Sequence, residues 1–134
     1  MAAAFLIGRL VFGGFFLVSG LNHLISVASM AQFAAAKGVP FAEVGVIVSG
    51  LLILFGGLSI ILGWRPDFGI TAVVFFLVLV TPAMHNFWDE SGAARMNDMA
   101  QFLKNVALAG GSLMLVAVPR PWIYSVERSG RVGA

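Results

Sequence analysis

The sequence predicts an all-α fold, a bundle of four transmembrane helices that forms a single domain. Of the 134 residues, 60% are hydrophobic and only 10% are charged, whereas soluble proteins carry roughly 25% charged residues. Four long apolar segments are separated by short polar connections. A bilayer core about 30 Å thick is crossed by roughly 20 helical residues, and the segments come close to that length.

The fourth segment needs the closest inspection, because its uncharged part, Val106 to Val118, is short. At a rise of about 1.5 Å per residue, this stretch cannot cross a bilayer alone. The helix must therefore extend back to about Asp98, which places Lys104 at membrane depth. The predicted spans are about residues 3–27, 41–63, 68–85 and 98–118, followed by a C-terminal tail, 119–134.

The connections between the spans predict how neighbouring helices meet. Pro66 follows Gly63 closely, so only a tight turn joins the second and third spans, which makes them antiparallel neighbours. Residues 26–37 carry Met30, Phe33 and Ala34 at helical spacing, which is typical of a short amphipathic helix at the membrane interface.

The basic residues near the span ends predict the orientation, since cytoplasmic loops carry an excess of lysine and arginine. The two chain ends and the second connection carry more basic residues than the other side of the predicted bundle. We therefore expect an inner-membrane protein with both termini in the cytoplasm. The residues on the predicted cytoplasmic side are Arg9, Arg65, Arg120, Arg128 and Arg131, and those on the other side are Lys37, Arg95 and Lys104.

Composition also argues against several classes of function. The chain has no cysteine, so it has no disulfide, thiolate metal site or thiol-exchange chemistry of its own. Two histidines without paired Glu-x-x-His motifs do not make a recognisable metal site. The net charge is only +2 and the basic residues are scattered, a pattern that does not indicate nucleic acid binding.

Polar residues within the spans are the candidate functional residues, because such groups are costly in lipid and normally face the bundle interior. Their predicted positions gather most of them at the non-cytoplasmic ends of the helices, with Arg9 apart near the cytoplasmic end. Two imidazoles, an ammonium and a carboxylate there are suited to binding a polar head group or exchanging protons with it. The candidates are His85, Lys104, Asn105, Asn86, His23, Arg9 and Glu43.

Each candidate also has a purely structural interpretation. Arg9 is long enough to extend to the lipid head groups, and Lys104 can either extend outward in the same way or pair with Asp98 or Glu43. The histidines can serve as interfacial hydrogen-bonding residues, and Glu43 can complement a helix dipole. The other acidic residues, Asp89, Glu90 and Asp98, are expected in a solvated loop and helix cap.

The order and spacing of several short motifs resemble those of the DoxX family of small membrane proteins over nearly the whole chain. The motifs are Arg9-Leu10, Ser19-Gly20, Gly38-Val39-Pro40, Gly56-Gly57-Leu58 followed by Gly63 and Arg65, His85-Asn86, and Lys104-Asn105 with Gly110-Gly111. The resemblance implies a four-helix bundle and points to Arg9, His85, Lys104 and Asn105. Many members carry a glutamate where this chain has Ile53, Leu54 and Phe55, so the resemblance does not extend to a proton-handling role that needs this carboxylate.

The resemblance also implies an expected function. The family takes its name from a subunit of a quinone-linked thiosulfate-oxidising complex, so the leading hypothesis is a membrane subunit of a redox system, with His85, Lys104 and Asn105 binding quinone oxygens. No flavin, haem or iron–sulfur motif is evident, so electrons must come from a redox partner protein. The alternatives are a non-catalytic scaffold that anchors a partner enzyme and a carrier of small molecules or protons. A homo-oligomer is expected, because four short helices enclose little volume.

Overall fold

The structure, a computed structural model, describes residues 1–127. Arg128 and Arg131, which enter the orientation argument, lie outside the described residues. The described chain forms five α-helices and one short 3-10 helix at Phe87–Asp89. The α-helices are α1 (Ala2–Ile25), α2 (Val27–Ala36), α3 (Ala42–Leu62), α4 (Pro66–Met84) and α5 (Gly92–Val116).

The predicted fold class is confirmed: four of the helices, α1, α3, α4 and α5, are long and apolar enough to cross a membrane. The short helix expected before the second span is present as α2. The largest boundary difference is in α5, which begins at Gly92 rather than near residue 98. Its first turns contain good helix formers such as Ala93, Ala94 and Met96, so the polar beginning of the helix is helical as well.

Helix α1 packs antiparallel against α3 along a seam of glycines. A Cβ at position 57 would lie 2.5 Å from the backbone nitrogen of Leu17 and 2.6 Å from the carbonyl oxygen of Gly13. Seven residues further along α1, a Cβ at Gly20 would lie 2.7 Å from the nitrogen of Leu54. Small residues that let backbones approach closely replace the missing hydrophobic drive for association in lipid.

Helix α4 packs on the neighbouring face of α3, again at a glycine. A Cβ at Gly56 would lie 2.6 Å from a methyl carbon of Val73. In the turn between these helices, the hydroxyl of Ser59 donates to the carbonyl oxygens of Trp64 (2.6 Å) and Arg65 (3.2 Å). The buried core lies along these faces of α1, α3 and α4, and comprises Phe16, Ile53, Ile60, Ile70, Val73, Leu77 and Trp122.

The two ends of the described chain lie at the same end of the bundle. The ring of Phe5 packs edge-on against Trp122, with centroids 5.4 Å apart, and the amide of Val126 donates to the carbonyl of Leu62 at 2.9 Å. The segment after α5 therefore folds back over the beginning of α1 and the end of α3.

Replacing Gly57 with alanine is expected to destabilise the bundle by about 1–3 kcal/mol, since the new methyl group would press on the backbone of α1. Gly45→Ala, on the same helix, is the matched control, because nothing lies within 4 Å of its Cβ position. Thermal unfolding in detergent measures both. Equal melting temperatures for the two variants would contradict the close α1–α3 contact.

Candidate functional site

A cavity of about 690 Å³ lies between the helices at the end of the bundle opposite the two ends of the described chain. All five α-helices contribute to its wall, and α2 covers one side of it with Met30, Phe33 and Ala34. Most of the wall is apolar, with aromatic rings from α1 and α4. The polar side chains that line it are Ser19, His23, Ser29, Ser49, His85, Lys104 and Asn105.

His23 reaches the cavity from α1, and its orientation is fixed on one side. The ring nitrogen Nδ1 lies 2.8 Å from the carbonyl oxygen of Ser19, one turn earlier. The ring also meets Phe76 of α4 edge to face, with centroids 5.9 Å apart. The missing side chain at Gly50 makes room for it, because a Cβ there would lie 2.7 Å from the Cβ of His23.

His85 caps the C-terminal end of α4 and reaches the same cavity. Its Nδ1 atom is buried and lies 3.6 Å from Oδ1 of Asp98. This separation exceeds the 2.7–3.2 Å of an ordinary N–H···O hydrogen bond, so the contact is electrostatic in this structure. Asp98 is therefore the carboxylate that faces the imidazole.

Lys104 and Asn105 contribute the amine and amide groups of α5. The ammonium of Lys104 donates to Oε1 of Gln101 at 2.5 Å and lies 5.7 Å from the ring centroid of Phe15. Asn105 is only 7% exposed and also lines the cavity. Lys104 pairs with neither Asp98 nor Glu43 among the described residues, so its expected ion pairs are wrong.

The main ion pairs of this region form instead around Lys37, which follows α2. Its ammonium donates to Oε1 of Glu90 at 2.8 Å, to Oδ2 of Asp98 at 2.7 Å and to Oδ1 of Asn86 at 3.1 Å. We call these four residues the Lys37 cluster. Hydrogen bonds to Asp98 and then to Glu90 hold the pKa of Lys37 above its usual range, against the opposing effect of desolvation.

The Lys37 cluster corrects the sequence-based assignment of its members. Asp98 is 6% exposed and therefore is not a solvated cap. Asn86 belongs to the cluster rather than to the cavity wall, and its amide also donates to Asp89 at 3.0 Å. Sequence spacing gave no signal for this cluster, because Lys37 is separated from Glu90 by 53 residues and from Asp98 by 61.

Glu43 does not join either group. It lies in the first turn of α3 and is exposed, while its neighbours Ala42, Gly45 and Val46 line the cavity. Successive residues of an α-helix point in different directions, so Glu43 lies on the outer side of α3 although its neighbour Ala42 lines the cavity. The structure therefore does not bring this predicted site residue to the cavity.

Arg9 lies at the other end of the bundle and is buried, with 2% of its surface exposed. Its guanidinium donates to the carbonyl oxygens of Ile123 (2.9 Å) and Tyr124 (3.0 Å) and lies 5.9 Å from the ring centroid of Trp122. The expectation that it extends to the lipid head groups is wrong. Arg9 instead holds the segment after α5 against α1.

Within residues 1–127, no group of three or more histidine, aspartate or glutamate side chains is placed to hold a metal ion. The cavity wall carries two imidazoles, an ammonium and an amide, which form hydrogen bonds and, in the case of the imidazoles and the ammonium, exchange protons. These groups lie beside an apolar volume of the size that small-molecule sites usually have, about 300–1,000 Å³.

Comparisons with known proteins agree on the class of protein. The family model for DoxX matches residues 4–86, a range that includes Arg9, His23 and His85 and ends before α5. The chain is also similar to the inner membrane protein YphA of Escherichia coli (strain K12), with 29% identity over 127 residues that cover 92% of this chain and 87% of that protein. No solved structure matches.

Lys37→Met is expected to destabilise the protein by about 1.5–3 kcal/mol, the usual contribution of a hydrogen bond to a charged group, because Asp98 loses its cation. Since the pKa of Lys37 is raised in the folded protein, this contribution is complete below the ordinary lysine pKa of about 10.4. It is lost only as the pH rises through the higher folded value. Thermal unfolding of Lys104→Met, an exposed lysine, is the control, and an equal loss in both variants would contradict the cluster.

Arg9→Lys keeps the charge but removes the paired hydrogen bonds to Ile123 and Tyr124. The segment after α5 should then open more often, and the amide of Val126 should exchange its hydrogen roughly tenfold faster or more, the factor that corresponds to about 1.4 kcal/mol. Hydrogen exchange followed by NMR measures this. Arg65→Lys, at an exposed arginine on the same end, should leave exchange at Val126 unchanged.

Proposed function

The chain belongs to the DoxX family, and on that premise we propose that it is an inner-membrane subunit of a quinone-linked redox system. Its cavity binds the head group of an isoprenoid quinone, and a partner protein delivers or accepts the electrons. The chain supplies the binding site and its electrostatics. The inner-membrane location has support from the similarity to YphA, which is named as an inner membrane protein.

The observation that carries the proposal is the uneven distribution of polarity around the cavity. Apolar residues from α1, α2, α3 and α4 form most of the wall, as an isoprenoid tail requires, whereas His23, His85, Lys104 and Asn105 provide ring nitrogens, an ammonium and an amide. Ligand sites in proteins typically combine a mostly apolar wall with a few polar groups that fix the ligand's orientation.

These polar groups fit the chemistry of a quinone head group. Quinone oxygens accept hydrogen bonds, and they gain negative charge as electrons arrive. An ammonium such as Lys104 and an amide such as Asn105 are donors suited to oxygens that become negative. The low dielectric of an apolar wall within a bilayer strengthens these interactions relative to water.

The orientation proposed for the protein places both chain ends in the cytoplasm. Arg9, Arg65 and Arg120 lie toward the end of the bundle where the ends of the described chain meet, and Lys37, Arg95 and Lys104 lie toward the opposite end. The basic excess that supports this orientation therefore comes from Arg128 and Arg131, which follow Arg120 in the sequence. The cytoplasmic end usually carries more basic residues. In this orientation the polar residues of the cavity belong to the outer half of the membrane.

A short-chain quinone at about 100 times its dissociation constant should stabilise the purified protein by about 2.7 kcal/mol, seen as a higher melting temperature. Lys104→Met and Asn105→Leu should reduce this shift, because each removes a donor from the cavity. Glu43→Gln is the matched control, since Glu43 lies on the outer side of α3.

The proposal fails if neither the oxidised nor the reduced quinone shifts the melting temperature of the wild-type protein. In that case the alternative, a scaffold that anchors a partner enzyme, gains support if a cofactor-bearing protein copurifies after extraction in mild detergent.

A further inference from the structure

The two histidines of the cavity share an arrangement that determines which of their nitrogens carries hydrogen. In His23, Nδ1 lies 2.8 Å from the backbone carbonyl oxygen of Ser19. A carbonyl oxygen can only accept, so Nδ1 must be the donor. A neutral imidazole has one N–H group, and Nε2 of His23 therefore presents a lone pair.

The same argument applies to His85 through Asp98. Oδ2 of this carboxylate accepts a hydrogen bond from the ammonium of Lys37 at 2.7 Å, which keeps Asp98 ionised. An ionised carboxylate is only an acceptor, and its second oxygen, Oδ1, faces Nδ1 of His85 at 3.6 Å. The hydrogen of the neutral ring therefore belongs on Nδ1, since the other tautomer would set two lone pairs against each other.

A ligand cannot reach Nδ1 of His85, because this atom is buried. The ring nitrogen left for a ligand is Nε2, which again presents a lone pair. Two neutral histidines thus give the cavity hydrogen-bond acceptors, whereas Lys104 and Asn105 give it donors.

We propose that this cavity prefers a head group that carries hydroxyl hydrogens, a hydroquinone, over the corresponding quinone. A hydroxyl group donates to Nε2 of His85 or His23 and accepts from Lys104 or Asn105 through the same oxygen. A quinone oxygen has no hydrogen to donate, so it leaves the imidazole lone pairs without a partner. This inference rests on the proposed function and adds the redox state of the ligand that the site selects.

Asp98 is a positioning residue in this scheme, because it acts through His85 rather than on the ligand. In Asp98→Asn the side-chain oxygen still accepts the hydrogen bond from the ammonium of Lys37, so the amide NH₂ group faces Nδ1 of His85. The histidine hydrogen then moves to Nε2, which becomes a donor. The structure therefore predicts that this one substitution weakens or reverses the preference without changing any residue that touches the ligand.

The direct test measures by calorimetry the binding of a short-chain hydroquinone, of the corresponding quinone, and of the hydroquinone's dimethyl ether, which has the same ring but no hydroxyl hydrogen. At about pH 8, above the ordinary histidine pKa of about 6.5, the hydroquinone should bind about five- to tenfold more tightly, the usual effect of leaving a buried acceptor unpaired. Equal affinities overturn the inference but leave the binding of quinones intact. If neither compound nor the quinone binds, the proposed function itself fails.

Variants then distinguish an effect of the His85 tautomer on binding from an effect of the ligand's shape. Asp98→Asn should lose most of the preference for the hydroquinone over the ether. Glu90→Gln, the matched control, removes a different carboxylate from Lys37 and should keep the preference. A preference that persists unchanged in Asp98→Asn would show that His85 does not act through its tautomer.

A spectroscopic measurement covers the case in which Asp98→Asn does not fold. The chain contains only two histidines, so nitrogen NMR of the labelled wild-type protein can resolve both rings, and a His23→Asn variant assigns them. Both rings should carry hydrogen on Nδ1 alone at about pH 8. A hydrogen on Nε2 of His85, with or without one on Nδ1, would overturn the inference.

Discussion

The close contact between α1 and α3 is the constraint on which the rest of the molecule depends. Gly13 and Gly20 on α1 face Gly57 and Gly50 on α3, and side chains at these positions would collide with the opposite helix. Because lipid provides no hydrophobic drive for association, this steric fit and its van der Waals contacts hold the pair together. Because the two helices are in contact along their length, the seam also determines which side chains fit at each end of the bundle.

Glycines in α3 and directly after it leave room for a polar side chain at each end of the bundle. At one end, the absence of a side chain at Gly50 leaves room for His23 beside the cavity. At the other end, a Cβ at Gly63 would lie 3.2 Å from the guanidinium of Arg9, which needs that space to bind the segment after α5. The two ends therefore differ in chemistry although the same packing rule forms them. One end holds both ends of the described chain, and the other holds a cavity.

The sequence predicted the fold well, because hydrophobic length and helical periodicity are local signals. It also placed His23, His85 and Asn105 near one another, since polar residues in a membrane span turn toward the bundle interior. It could not predict the Lys37 cluster, because the members of this cluster come from segments far apart in the sequence and no spacing rule links them. Glu43 shows the same limit on a smaller scale. It is exposed although its neighbour Ala42 lines the cavity, and the sequence does not show which of these adjacent positions on α3 faces inward.

The Lys37 cluster explains why the cavity is suited to hydrogen bonding rather than to ion binding. Lys37 pairs with both Glu90 and Asp98 outside the cavity, and the two carboxylates in turn hold the end of α2 against one side of the cavity. An unpaired carboxylate at the cavity would instead attract cations and raise the cost of placing an apolar ligand there. With the acidic charge paired, Asp98 acts on the cavity only through His85. An ion pair behind an imidazole thus connects Lys37, at the end of α2, through Asp98 to Nε2 of His85, the nitrogen of this ring that is left for a ligand.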